Sequence, residues 1–168
     1  EVTFYDLASL AGLGSGPDGR AGYPLVSIYL AGTEVRRVLE ASVLLSELMG
    51  DTYFLQYSGL QTVYDPRRAV LFTVPFAGIP VPSTRAVLEA SLYTGSGIQS
   101  ADSSSYRTIP RKDDTLYHVI SDYYLIAFLP MVGELLPSLT IELKDKNGNP
   151  ITSMEAPIIY RDGHELKL

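Results

Sequence analysis

The residues in this chain best suited to chemistry are aromatic rings and an amide. Tyr53, Phe54, Gln56, Tyr57 and Tyr64 lie close together. An aromatic face stacks on a nucleobase for about 1–3 kcal/mol without selecting a particular base, and an amide reads a base edge by hydrogen bonds. If Tyr53–Tyr57 is a strand, Phe54 and Gln56 project from the same face, because side chains alternate along a strand. A base pocket needs that pairing. The competing reading of Phe54 is a plain core residue.

Other chemistries find less support. The two histidines, His118 and His164, are far apart and belong to no metal-binding spacing. Serines are plentiful, but no G-x-S-x-G segment or serine–histidine order stands out. Gly14–Gly19 spells G-x-G-x-x-G, yet it carries Pro17 and precedes a strand, whereas a dinucleotide loop must follow a strand and open a helix. Gly50-Asp51 reads as turn and cap chemistry. His118, on an alternating apolar stretch, reads as a buried or edge histidine, and Arg67 and Arg68 as solvated charges on the Asp65-Pro66 turn.

The elements that position these residues centre on Gly22–Gly59. Val26, Ile28 and Leu30 alternate with Ser27 and Tyr29, the mark of a half-buried strand over Tyr23–Ala31. Thr33 is placed as an N-cap, with Glu34 at the positive end of the helix dipole. Val35, Val38, Leu39, Leu45, Leu48 and Met49 recur at helical spacing, leaving Arg36, Arg37, Glu40 and Glu47 for solvent. Gly50 stops the helix. Strands are expected at 60–64, 69–76, 106–109, 116–120 and 139–143, and at 84–94, where a short helix capped by Ser83 is the alternative, with prolines making 77–83 an extended loop. Gly95–Ser105 reads as a surface loop, and Asn147-Gly148 as a hairpin turn. Asp122 is placed to cap a helix from Tyr123 that Pro130 ends or kinks, and His164–Leu168 to begin another helix.

Composition bounds the rest. A chain of 168 residues with 46% hydrophobic residues buries a real core, and 1–168 reads as one domain. The net charge of -6 gives no electrostatic footprint for nucleic acid. No apolar run approaches the about 18 residues of a membrane span, and no signal peptide opens the chain. The absence of cysteine excludes disulfides and thiol chemistry.

The strand Gly22–Leu30, the helix start AGTEVRRVLE, the segment FLQYSGLQTVYDP at 54–66 and LYHVISDYY at 116–124 together resemble the C-terminal domain of the 5'-nucleotidases. That family includes UDP-sugar hydrolases and 2',3'-cyclic-nucleotide phosphodiesterases. The resemblance covers most of the chain and is thinnest between Phe76 and Arg111. It implies a base-recognition domain, with Phe54 as one stacking plate and Gln56 as base reader. Hydrolysis would belong to a separate N-terminal metallophosphatase domain that holds two divalent metal ions, this chain holding no cofactor. The parent enzyme would be periplasmic or at the cell surface. The family's second plate follows a GGDG motif that is absent here; Tyr123, Tyr124 or Phe128 stands near that place. The expected fold is α+β, a twisted mixed sheet with two or three packed helices. The rival expectation is a structural or binding module that has lost the base clamp.

Overall fold

A computed structural model describes residues 23–96, 99, 102–153, 158–161 and 164–165. The Gly14–Gly19 loop lies outside them. The fold is α+β. Its strands are β1 (Leu25–Ala31), β2 (Leu60–Tyr64), β3 (Val70–Thr73), β4 (Pro80–Pro82), β5 (Val87–Tyr93), β6 (Tyr106–Thr108), β7 (Leu116–Asp122), β8 (Ile158–Arg161) and β9 (His164–Glu165). Among the described residues the α-helices are α1 (Gly32–Met49) and α2 (Tyr123–Leu135). Among the described residues the strands form three sheets rather than one mixed sheet, in the orders β7-β1-β8-β9, β2-β5-β6 and β3-β4. Every pair with a resolved register is antiparallel.

The chain forms two compact units. The first comprises Glu1–Tyr29, His118–Met131 and Glu142–Leu168; the second comprises Leu30–Tyr117 and Val132–Ile141. In the first, β1 buries Val26 and Ile28 completely, as the alternation requires. Tyr29 and Lys144 exchange backbone hydrogen bonds of 2.8 and 3.1 Å. The Asp145 carboxylate accepts from the backbone N–H groups of Asn147 and Asn149, so the Asn-Gly turn forms where expected. Asp122 caps α2 by accepting from the Leu125 N–H at 2.8 Å. Pro130 neither ends nor shortens that helix; it costs one backbone bond, and the helix continues to Leu135. His164–Glu165 pairs with β8, so this segment closes a hairpin rather than opening a helix.

In the second unit, α1 packs on β5. Its buried stripe includes Val35, Leu39, Val43 and Leu44, whereas Leu48 and Met49 are exposed. Arg36 and Glu40, assigned to solvent by their charge, are buried at 6% exposure each. Both are satisfied by backbone. The Arg36 guanidinium donates to the carbonyls of Ile109 (3.1 Å) and Val87 (2.8 Å), and the Glu40 carboxylate accepts from the N–H groups of Ala86 (2.9 Å) and Val87 (3.1 Å). The start of β5 is thereby held to the helix. Thr33 is not the N-cap. The N-cap is Ala31, two residues earlier, and the Glu34 carboxylate accepts from the Ala31 N–H at 2.7 Å. Thr33 instead exchanges hydrogen bonds with the Asp113 backbone. Gly50 ends the helix at φ 102, a conformation that favours glycine.

The segment 77–83 is not loop throughout. Pro80–Pro82 forms β4, paired with β3, because an isolated two-stranded hairpin leaves each strand an edge where a missing proline N–H costs no ladder bond. The expected strand at 139–143 keeps the alternation, with Leu139, Ile141 and Leu143 buried, but among the described residues it joins no ladder beyond the bridges of Lys144.

Candidate functional site

The aromatic cluster is built from the end of α1, the turn after it, and β2. Asp51–Tyr53 forms a 3-10 turn, and the Leu55 N–H then donates to the buried Ser42 hydroxyl at 2.8 Å, drawing the chain back onto α1. This overturns the expected strand over Tyr53–Tyr57. The segment joins no ladder of the β2-β5-β6 sheet. Phe54 and Gln56 are consequently not neighbours on one strand face. Gln56 is exposed and Phe54 is half-buried.

The Phe54 ring lies 5.2 Å from that of Tyr64, tilted by 34°. Leu39, Val43, Tyr57 and Val87 pack around the pair, and the space they leave is too small for a water molecule. The Tyr57 hydroxyl bonds Thr62 Oγ1. The outer edge of the cluster is open: Tyr53 and Tyr64 are 45% and 42% exposed. The arrangement offers a rim on which a flat ring can lie rather than a slot that encloses one.

The other predicted residues belong to the first unit. Tyr123, Tyr124 and Phe128 occupy the first turns of α2, where Tyr124 is exposed and its ring sits 5.4 Å from that of Tyr23. In the same unit, adjacent strands bring Ser27 Oγ within 2.7 Å of His118 Nε2, and the His118 ring stacks on Tyr29 at 4.9 Å. His118 is the edge histidine of the two readings, on the outer strand β7, which turns Tyr117 inward and His118 and Ile120 outward. No carboxylate orients this serine–histidine pair among the described residues, so it lacks the third member of a nucleophilic triad.

Electrostatics in the second unit centre on Glu40 and Asp113. Burial pushes the Glu40 carboxyl up, opposed by the Val87 and Ala86 N–H groups and by the charges of Arg111 and Arg36. Burial lowers Arg36, reinforced by the like charge of Arg111 and opposed by Glu40. Asp113 is held below the usual carboxylate range by its hydrogen bonds to Thr115 and Tyr117. Arg67 forms a fork with Asp65, which agrees with its reading as a solvated turn charge. Its neighbour Arg68 instead lines a cleft with Arg85 and Arg111, a convergence from distant positions that no local motif announces.

The architecture defines an α+β chain with an aromatic rim. Among the described residues, no group of three or more His, Cys, Asp or Glu side chains is placed to hold a metal ion, and no helix is long and apolar enough to cross a membrane. No family model matches the chain, and neither the curated proteins nor the solved structures compared with it give a match.

Proposed function

We propose that the chain is the nucleotide-recognition domain of a 5'-nucleotidase-like phosphoester hydrolase of the periplasm or cell surface. A separate N-terminal metallophosphatase domain would carry two divalent ions and the hydrolysis. The observation that carries this reading is the partly exposed ring pair Phe54–Tyr64, with the exposed Gln56 amide nearby in the chain. A base stacked on that rim gains contact on one face only, so binding to the isolated chain is weak, about millimolar or near -4 kcal/mol. The dense packing around Phe54 favours a second reading, a module that has kept the fold and lost the clamp.

Titration of the chain with adenosine and uridine, followed by NMR shifts of aromatic and side-chain amide resonances, separates the two. Saturable shifts at Tyr64 and Gln56, weakened at least about fivefold in Phe54→Ala, are expected from the recognition domain. Unchanged spectra up to the solubility of adenosine would leave the structural module.

A further inference from the structure

We propose that the cleft lined by Arg68, Arg85 and Arg111 binds a phosphate-bearing small molecule. The cleft has a volume of ≈ 510 Å³, and its remaining lining is Val70, Leu71 and Ser83. Every charged residue around it is an arginine, in a chain with 13 basic and 19 acidic residues. Like charges gathered around one concavity repel, so an unfilled gathering of this kind costs stability.

The usual explanation for such a cluster is pairing with carboxylates, and it fails for two members. Neither the Arg68 nor the Arg85 side chain makes an ion pair or hydrogen bond with a carboxylate among the described residues; Asp65 gives its fork to Arg67 and acts on Arg68 only through its charge. The nearby Glu40 is buried, and its oxygens are engaged by the N–H groups of Ala86 and Val87. Its charge acts on Arg111 and Arg36.

The backbone around the cleft is tied down. Ser83 Oγ donates to the Arg68 carbonyl and accepts from the Arg85 N–H at 3.1 Å, joining the two segments that carry the unpaired arginines. Between them Thr84 has φ 55, a left-handed conformation that is an outlier for a β-branched residue. Strain of this kind persists where surrounding structure enforces it, and it concentrates at binding sites. Arg111 is fixed by donating to the Val87 carbonyl at 3.0 Å.

Guanidinium forks match the oxygens of a phosphate, and three of them suit a dianion better than a single carboxylate. Val70 and Leu71 supply an apolar wall for the organic part of a phosphate ester. The site involves neither Phe54 nor Gln56 and stands whether or not the base-recognition reading holds.

The test is a calorimetric titration of the full chain with inorganic phosphate and with phenyl phosphate, in about 0.15 M sodium chloride to screen diffuse attraction. Saturable binding is expected, tighter for phenyl phosphate. The Arg68→Gln/Arg85→Gln double variant should weaken it at least about tenfold, and the lysine pair, which keeps charge but not the fork, by less. Both arginines are exposed, so the double variant should fold, and circular dichroism checks it. Arg85→Gln alone provides a second measurement. Phe54→Ala should leave phosphate binding unchanged while weakening adenosine, which distinguishes failure of this site from failure of the aromatic one. Equal affinity in wild type and both glutamine variants, or no saturable heat, would overturn the proposal.

Discussion

Replacing Glu40 by alanine should be among the most damaging single changes available on α1. The carboxylate satisfies the N–H groups of Ala86 and Val87, and at 6% exposure water has little access to replace it. Each buried donor left without a partner costs about 1–3 kcal/mol. Two donors therefore put the loss at about 2–6 kcal/mol, reduced because the variant no longer has to desolvate a carboxylate. A net loss of about 3 kcal/mol is expected, equivalent to a fall in Tm of about 6–12 °C for a chain of this size. Glu40→Gln keeps one acceptor oxygen and should cost less, about 1 kcal/mol, since burial already disfavours the charge.

The pH dependence has a definite sign. With its folded pKa raised, Glu40 binds more protons folded than unfolded between its unfolded value, about 4.3, and the folded one. Its contribution is greatest below that window and declines as pH rises through it. Urea melts of wild type and both variants from acid to neutral pH measure all of this. A Glu40→Gln loss equal to or larger than that of Glu40→Ala would refute the argument, because it would place the value of the residue in its charge rather than its acceptors.

Gly32→Ala should destabilise by about 1–3 kcal/mol, read as a lower urea midpoint. A Cβ there would lie 2.7 Å from Asp113 Cγ and 2.8 Å from its Cβ, and the Asp113 carboxylate is held in place by Thr115 and Tyr117. Pro130→Ala should raise Tm, by restoring one backbone donor inside α2 for a gain of about 1–3 kcal/mol. Asp113→Asn should remove a contribution that is present above about pH 3.9 and lost as pH falls through the lowered folded pKa. The same variant should lower the ionisation point of Tyr117, raised by burial first and then by its bond to Asp113, in an ultraviolet titration. An unchanged Tyr117 titration would contradict that hydrogen bond.

Local pattern was the legible part of this chain. The alternation in β1, the Asp122 cap, the Asn-Gly turn and the glycine stop after α1 each follow from a few adjacent residues. What escaped depended on distant partners. Arg36 and Glu40 look like surface charges because the groups that satisfy them are backbone atoms of Ala86, Val87 and Ile109, which no helical periodicity encodes. Tyr53–Tyr57 has strand composition, yet the buried Ser42 hydroxyl captured the Leu55 N–H instead. Phe54 is half-buried, and its geometric relation to Gln56 was not legible without the turn at Asp51–Tyr53. The arginine cleft was hidden for the same reason, since its residues come from positions 68, 85 and 111.

The strand order β7-β1-β8-β9 also bears on how the polypeptide acquires its structure during synthesis. β1 is synthesised well before its two neighbours, which begin only at Leu116 and Ile158. Until then a strand whose Val26 and Ile28 end wholly buried has both backbone edges unpaired. Such long-range pairing slows folding and leaves an apolar edge open to other nascent chains. Slowing translation downstream of Ala31 would lengthen that exposure and lower soluble yield, even though the finished protein would be identical in sequence.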